Sequence, residues 1–159
     1  MAFLMGVKLD ATYTATELAA NGLVVGSITE HAGKLYKLYK FNNGVGNVAS
    51  VAGNFAYIYA VSGTSAGETT EVTMDLTDTQ GIGAGVFQAV IADGSYGWLQ
   101  VTGVATLTTA LTAGSDGNAL TPVGAGADGT LDVSALVTDS ICAHAIDASA
   151  KIVMLSCPY

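Results

Sequence analysis

The chain has 159 residues, enough for one domain that removes about 70% of its unfolded surface from water, so it needs neither disulfides nor a metal to fold. Only 11% of it is charged while 50% is apolar, so its surface must be covered by Thr, Ser, Gly, Asn and Ala or by other subunits. The net charge is −8 and the basic residues Lys8, Lys34, Lys37, Lys40 and Lys151 include no arginine, which argues against nucleic acid as a partner.

Residues 1–22 carry no strand alternation and read as an N-terminal arm or a single helical turn, with Thr16 as its cap and Asn21-Gly22 as its stop. Residues 23–159 read as one β domain. Its first strands are 23–29 and 34–41, joined by a turn at Glu30-His31-Ala32-Gly33. In the second, Leu35, Lys37, Tyr39 and Phe41 share one face and Tyr36 and Leu38 the other, a mixture of lysine and aromatics that suits an exposed or edge strand. Residues 48–52 are ambiguous. The strand predicted over 55–61 is apolar on both faces and needs cover on both. After a Ser/Gly loop at 62–68, residues 69–76 alternate so that Val72, Met74 and Leu76 face inward while Glu71, Thr73 and Asp75 face water.

Residues 86–101 read as a hairpin about Asp93-Gly94, a pair suited to positive φ. A two-residue turn sets Ile91 opposite Tyr96, Ala89 opposite Trp98 and Phe87 opposite Gln100. Both faces of this hairpin are mostly apolar, so it belongs inside a sandwich or barrel or against another subunit. A strand over 104–111 comes next, then turn-rich residues 113–129 interrupted by a short run at 119–123, and strands at 130–133, 141–146 and 152–157. Short strands spaced by Gly-rich turns predict an all-β fold, an antiparallel β-sandwich or partly open barrel.

Motifs for chemistry are sparse. Gly63-Thr-Ser65-Ala-Gly67 has the form of a nucleophile elbow, and an Asp followed by His144 preserves a hydrolase chain order. The residues after Gly67 alternate like a strand, where an elbow needs a helix, so the motif reads as a Ser/Gly loop. Gly81, Gly83 and Gly85 lack phosphate-loop spacing, and they lead into a strand. His31 and His144 stand apart without companion ligands, and Asp75 and Asp78 are too sparse for a calcium loop. No catalytic, cofactor or metal residue is assigned. Cys142 and Cys157 read as buried reduced thiols, although a hairpin about residues 148–151 could set them opposite each other. Residues 41–67 are uncharged, but Asn42, Asn43, Asn47, Ser50 and Asn54 argue against a membrane span. The N-terminal residues lack the basic and apolar regions of a secretory signal.

The run Gly94-Ser-Tyr-Gly-Trp-Leu-Gln-Val-Thr-Gly103 with Gly85-Val-Phe-Gln-Ala-Val-Ile before it resembles small structural proteins of tailed-bacteriophage virions. The later Gly/Asp-rich stretch, the Gly129-Thr-Leu-Asp-Val strand and the closing hairpin ending in Cys-Pro-Tyr extend the likeness over about residues 81–159. In organisation this is similar to capsid decoration, or cement, proteins. The resemblance implies a non-enzymatic protein that leaves the host cytoplasm on assembly and binds the major capsid protein on the outer shell, as a homotrimer, to stabilise the head. Phe3 and Leu4 in the arm, the strand residues Tyr36, Tyr39 and Phe41, and the aromatics Tyr96 and Trp98 are the expected contacts. A tail or fibre component and a carbohydrate-binding sandwich share the composition and are the alternatives.

Overall fold

The computed structural model describes residues 6–59 and 70–158, and within them every regular element is a strand save one short helix and one 3-10 turn. Strands β2 (Ile28–His31) and β3 (Lys34–Phe41) form a hairpin where one is expected, but the first strand begins at Ile28 rather than residue 23, and Glu30 and His31, expected in the turn, belong to it and pair with Leu35 and Lys34. Ala32 and Gly33 both hold positive φ at its tip, which matches the twist of the flanking strands. Beyond this hairpin, β3 is the hub of the first sheet. Along one edge it pairs with β7 (Tyr96–Gln100); the other edge is shared by β2 and, in parallel, β5 (Glu71–Thr73). From β5 the pairing runs through β4 (Phe55–Tyr59) and β6 (Thr79–Phe87) back to β7, so five strands form a partly closed barrel. A two-residue strand β1 (Thr12–Tyr13) extends β7.

The second sheet is antiparallel and ordered β10 (Asp132–Val133), β9 (Ala119–Thr121), β11 (Ala143–Asp147), β12 (Ile152–Ser156) and β8 (Thr102–Thr106). The expected all-β class therefore holds, with β3–β5 as a parallel pair in an otherwise antiparallel fold. Phe41, Phe55, Tyr57, Phe87 and Leu99 of the barrel pack with Leu120, Val153 and Leu155 of the second sheet in one core. Phe41 and Phe87 meet edge to face, their centroids 5.6 Å apart. Tyr57 donates its hydroxyl to the Thr130 carbonyl at 2.6 Å, satisfying that polar group inside the core.

Several expectations change. Strand β3 is central rather than exposed: it is flanked on both edges, and Lys37 is buried with its ammonium 5.0 Å above the Tyr39 ring. Residues 88–95 form a loop, and Val86 lies opposite Gln100 and Phe87 opposite Leu99, one residue away from the expected register. That slip sends Phe87 and Trp98 to opposite faces. The physical cause is Ile91, whose N–H donates to Ser50 Oγ while Ser50 Oγ donates to the Ile91 carbonyl, so the loop turns into the core instead of continuing a strand. Gly85, at φ 141°, permits the close approach of β6 to β7, because a Cβ there would lie against the Gln100 carbonyl. The strand expected over 69–76 is shorter, and Thr73 and Asp75 are buried rather than facing water. That expected over 104–111 is shifted to Thr102–Thr106.

The N-terminal residues 6–22 are folded onto the barrel. Helix α1 (Ala15–Ala20) starts at Thr14, two residues before the expected cap. Thr14 Oγ1 accepts from the Glu17 N–H while the Glu17 carboxylate accepts from the Thr14 N–H, a reciprocal capping box. The helix presents Leu18 to Tyr36, Leu38 and Trp98, and Val7, Leu9, Tyr13, Leu23 and Tyr96 close around this second cluster. The Cys142 and Cys157 thiols are free and buried, Cys157 Sγ donating to the Cys142 carbonyl at 3.6 Å. The Cys157 thiol beside it and burial push the Cys142 thiol well up.

Candidate functional site

The parallel pairing of β3 with β5 brings the loops that follow both strands to one end of the barrel. The loop before β7, which runs antiparallel to β3, reaches the same end. Residues 42–48, 74–78 and 88–95 thus form one platform, and their own polar groups hold it together. Asp75 Oδ2 accepts from the Gly46 N–H at 2.9 Å, and its Oδ1 accepts from the Thr77 N–H and hydroxyl at 2.9 and 2.7 Å. Asp78 Oδ2 accepts from the Val45 N–H, and Asp93 Oδ1 from the Asn43 N–H at 3.0 Å. From outside the three loops, Asp128 Oδ1 accepts from the Leu76 N–H at 2.9 Å. Asn42 bridges inward, donating to Glu71 Oε1 and accepting from the Gly44 N–H.

Asp75 sits at the centre, only 2% exposed. Burial pushes its carboxyl up, but the hydrogen bonds from Thr77 and Gly46 outweigh it and hold the group below the usual carboxylate range. The Gly44-Val45-Gly46 sequence is what admits the two carboxylates. A Cβ on Gly44, whose φ is 71°, would lie 2.6 Å from Asp78 Oδ2 and 2.9 Å from Asp75 Oδ2. The backbone therefore wraps the acids closely and leaves the one side chain between the glycines pointing away. Val45 is 82% exposed, and Val90 on the adjoining loop is 64% exposed. Both apolar tips stand on loops whose backbone these hydrogen bonds already hold, so the backbone there has little freedom left to lose.

The expected contact residues lie elsewhere. Tyr39 and Phe41 belong to the main core, and Tyr36 and Trp98 to the cluster beneath α1; all four are buried by the chain itself. Tyr96 is partly buried at the rim of that cluster. Their aromatic character serves packing, which period-two alternation cannot distinguish from an interface when both faces of a strand are covered. Phe3, Leu4 and the Gly63–Gly67 motif lie outside the described residues. His31 ends β2 and His144 lies on β11, both exposed. Sequence reading missed the platform because its acids look like isolated turn residues; the Gly-x-Gly at 44–46 is the one local signal that backbone approaches something closely.

Another concavity lies between residues 110–116 and 148–151. Its polar groups are engaged in structure: Asp116 Oδ1 accepts from the Ala148 N–H, and Lys151 Nζ donates to the Thr108 carbonyl. No family model, curated protein or solved structure matches this chain.

Proposed function

We propose that the protein is a non-enzymatic structural component of a bacteriophage virion, a decoration protein that binds the major capsid protein on the outside of the shell. The observation that carries this reading is the carboxylate-stapled platform with Val45 and Val90 at its tips. It joins the resemblance over residues 81–159, and low charge leaves much of the surface suited to protein contact. Rigid apolar tips on a β scaffold bind flat protein surfaces at little entropic cost, and a protein that binds only the assembled shell stabilises it by linkage. The contacts proposed here replace those expected from the aromatic strand.

The test is co-sedimentation with shells assembled from the major capsid protein of the virion to which this reading assigns the chain. The wild-type chain pellets with expanded shells and raises their melting temperature. Val45→Asp and Val90→Asp together weaken binding by tenfold or more and leave the circular dichroism spectrum unchanged. Failure of the wild-type chain to pellet overturns the decoration reading. Rods or tubes of the purified chain in negative stain would favour a tail component instead.

A further inference from the structure

We propose that Cys142 and Cys157 form a redox modification site, two thiols that a low-molecular-weight disulfide oxidises to a bond across the open end of the β11–β12 hairpin. They are the two cysteines of the chain, and both are free. Ala143 pairs with Leu155, and one step outward the Ser156 N–H donates to the Cys142 carbonyl at 2.9 Å. Cys142 therefore lies across from Ser156, the neighbour of Cys157. The Cys157 thiol donates to that same Cys142 carbonyl at 3.6 Å, which puts its sulfur within reach of a side chain two bonds long. A disulfide needs adjoining backbones of this kind, and strands already held in register supply them.

The two sulfurs differ in access. Cys142 is sealed: its N–H donates to the Leu120 carbonyl at 3.0 Å, and a Cβ on Gly83 would lie 2.6 Å from its Cβ and its Sγ. Cys157 stands just past the end of β12, and Pro158 after it is exposed and has no N–H to extend the ladder. Its own N–H donates to the Val101 carbonyl at 3.0 Å. Opening there is local, so Cys157 meets the oxidant first. Its thiolate attacks one sulfur of the small disulfide, giving a mixed disulfide and a departing thiolate that takes up the proton Cys157 released. When the strand end swings back, Cys142 attacks Cys157 Sγ, and its proton passes to the second departing thiolate. The protein loses two electrons and two protons, and one small disulfide becomes two thiols.

The bond closes a ring from residue 142 to residue 157 that contains the whole hairpin. The other end of the hairpin is already held by its turn, where Asp147 accepts from the Ala150 N–H at 2.9 Å. Ala143, Ala145, Val153 and Leu155 of that ring belong to the main core. Closing a loop of about 15 residues restricts the unfolded chain enough to lower the unfolding equilibrium constant about a hundredfold. None of these residues belongs to the platform, so the bond forms whatever the platform binds.

Intact-mass spectrometry of the full chain tests this. Reduced protein is incubated with glutathione disulfide at about pH 8, where thiolate is available, then unfolded and alkylated. The expected product is a monomer lighter by two hydrogens with neither cysteine alkylated. Trypsin, which cleaves after Lys151, leaves the peptides carrying Cys142 and Cys157 joined until a reductant is added. Urea titration of this product gives an unfolding equilibrium constant about a hundredfold below that of the reduced chain. Cys142→Ser accumulates one glutathione on Cys157, whereas Cys157→Ser takes it up about tenfold more slowly, because Cys142 is sealed. Alkylation of either cysteine or retained glutathione in the treated wild type overturns the proposal, as do dimers linked through these cysteines or an oxidised form no more stable than the reduced one. Equal uptake by the two variants overturns the order of attack.

Discussion

Asp75 shows what a single side chain does in this protein. It is a buried carboxylate with no lysine beside it, compensated by three hydrogen bonds from Gly46 and Thr77. Charge-assisted hydrogen bonds contribute about 1.5–3 kcal/mol each, and removing the acceptor also orphans the donors. Asp75→Ala is accordingly expected to lower unfolding free energy by about 3 kcal/mol, read as a fall in the urea midpoint. Because Gly46 loses its anchor, residues 44–46 should at the same time exchange their amide hydrogens faster than in the wild type. A loss of stability without faster exchange there would show that the acid does not hold the platform. Nothing in the alternation of residues 69–76 indicates this role: Thr73 and Asp75 occupy positions that a half-solvated strand gives to water, and here both are buried, Asp75 against the backbone of Gly44 and Gly46.

Among the elements, α1 is short for an independent helix, and tertiary packing has to hold it. Its capping box satisfies two donors at its start, and Leu18 provides the attachment through its place in the buried cluster with Tyr36, Leu38 and Trp98. Leu18→Ala should cost about 3 kcal/mol, a value typical of truncating a packed leucine. Trp98 is the single tryptophan of the chain, so the same substitution should shift its fluorescence to the red as water reaches the indole. An unshifted emission would mean that α1 is not the cover. The helix is legible only in part: a turn ending at Asn21-Gly22 is expected, but with Thr16 as its cap, and the capping-box spacing of Thr14 and Glu17 is the local signal that places its start. That it covers the barrel is not legible, because its partners Tyr36, Leu38 and Trp98 come from strands far along the chain.

For the molecule as a whole, hydrogen bonds to carboxylates set the pH response. Backbone and side-chain donors hold Glu17, Asp75, Asp139 and Asp147 below their usual range. Their folded values lie under the unfolded ones near 4, so in that interval the unfolded chain binds more protons than the folded one. The stabilisation is present above about pH 5 and lost as the pH falls through the folded values. The urea midpoint should therefore be lower at pH 3 than at pH 6, and Asp75→Asn should reduce the difference. A midpoint equal at the two pH values would remove the carboxylate account.

The all-β class, the existence of a hairpin between β2 and β3 though not the start of β2 or its two-residue tip, the β11–β12 hairpin and the double-faced burial of residues 55–58 were determined by the sequence itself. Each rests on turn chemistry or on side-chain alternation within a few residues. Tertiary structure alone decided that β3 is a central strand, that Trp98 and Phe87 occupy opposite faces, and that Gly44-Val45-Gly46 wraps Asp75 and Asp78. These depend on pairings between residues 30 to 60 positions apart, such as Phe41 with Val72 and Leu38 with Trp98. A strand's alternation is identical whether its edges are free or paired, and one residue of register exchanges its faces. The choice is made by the partner strand, which local pattern does not contain.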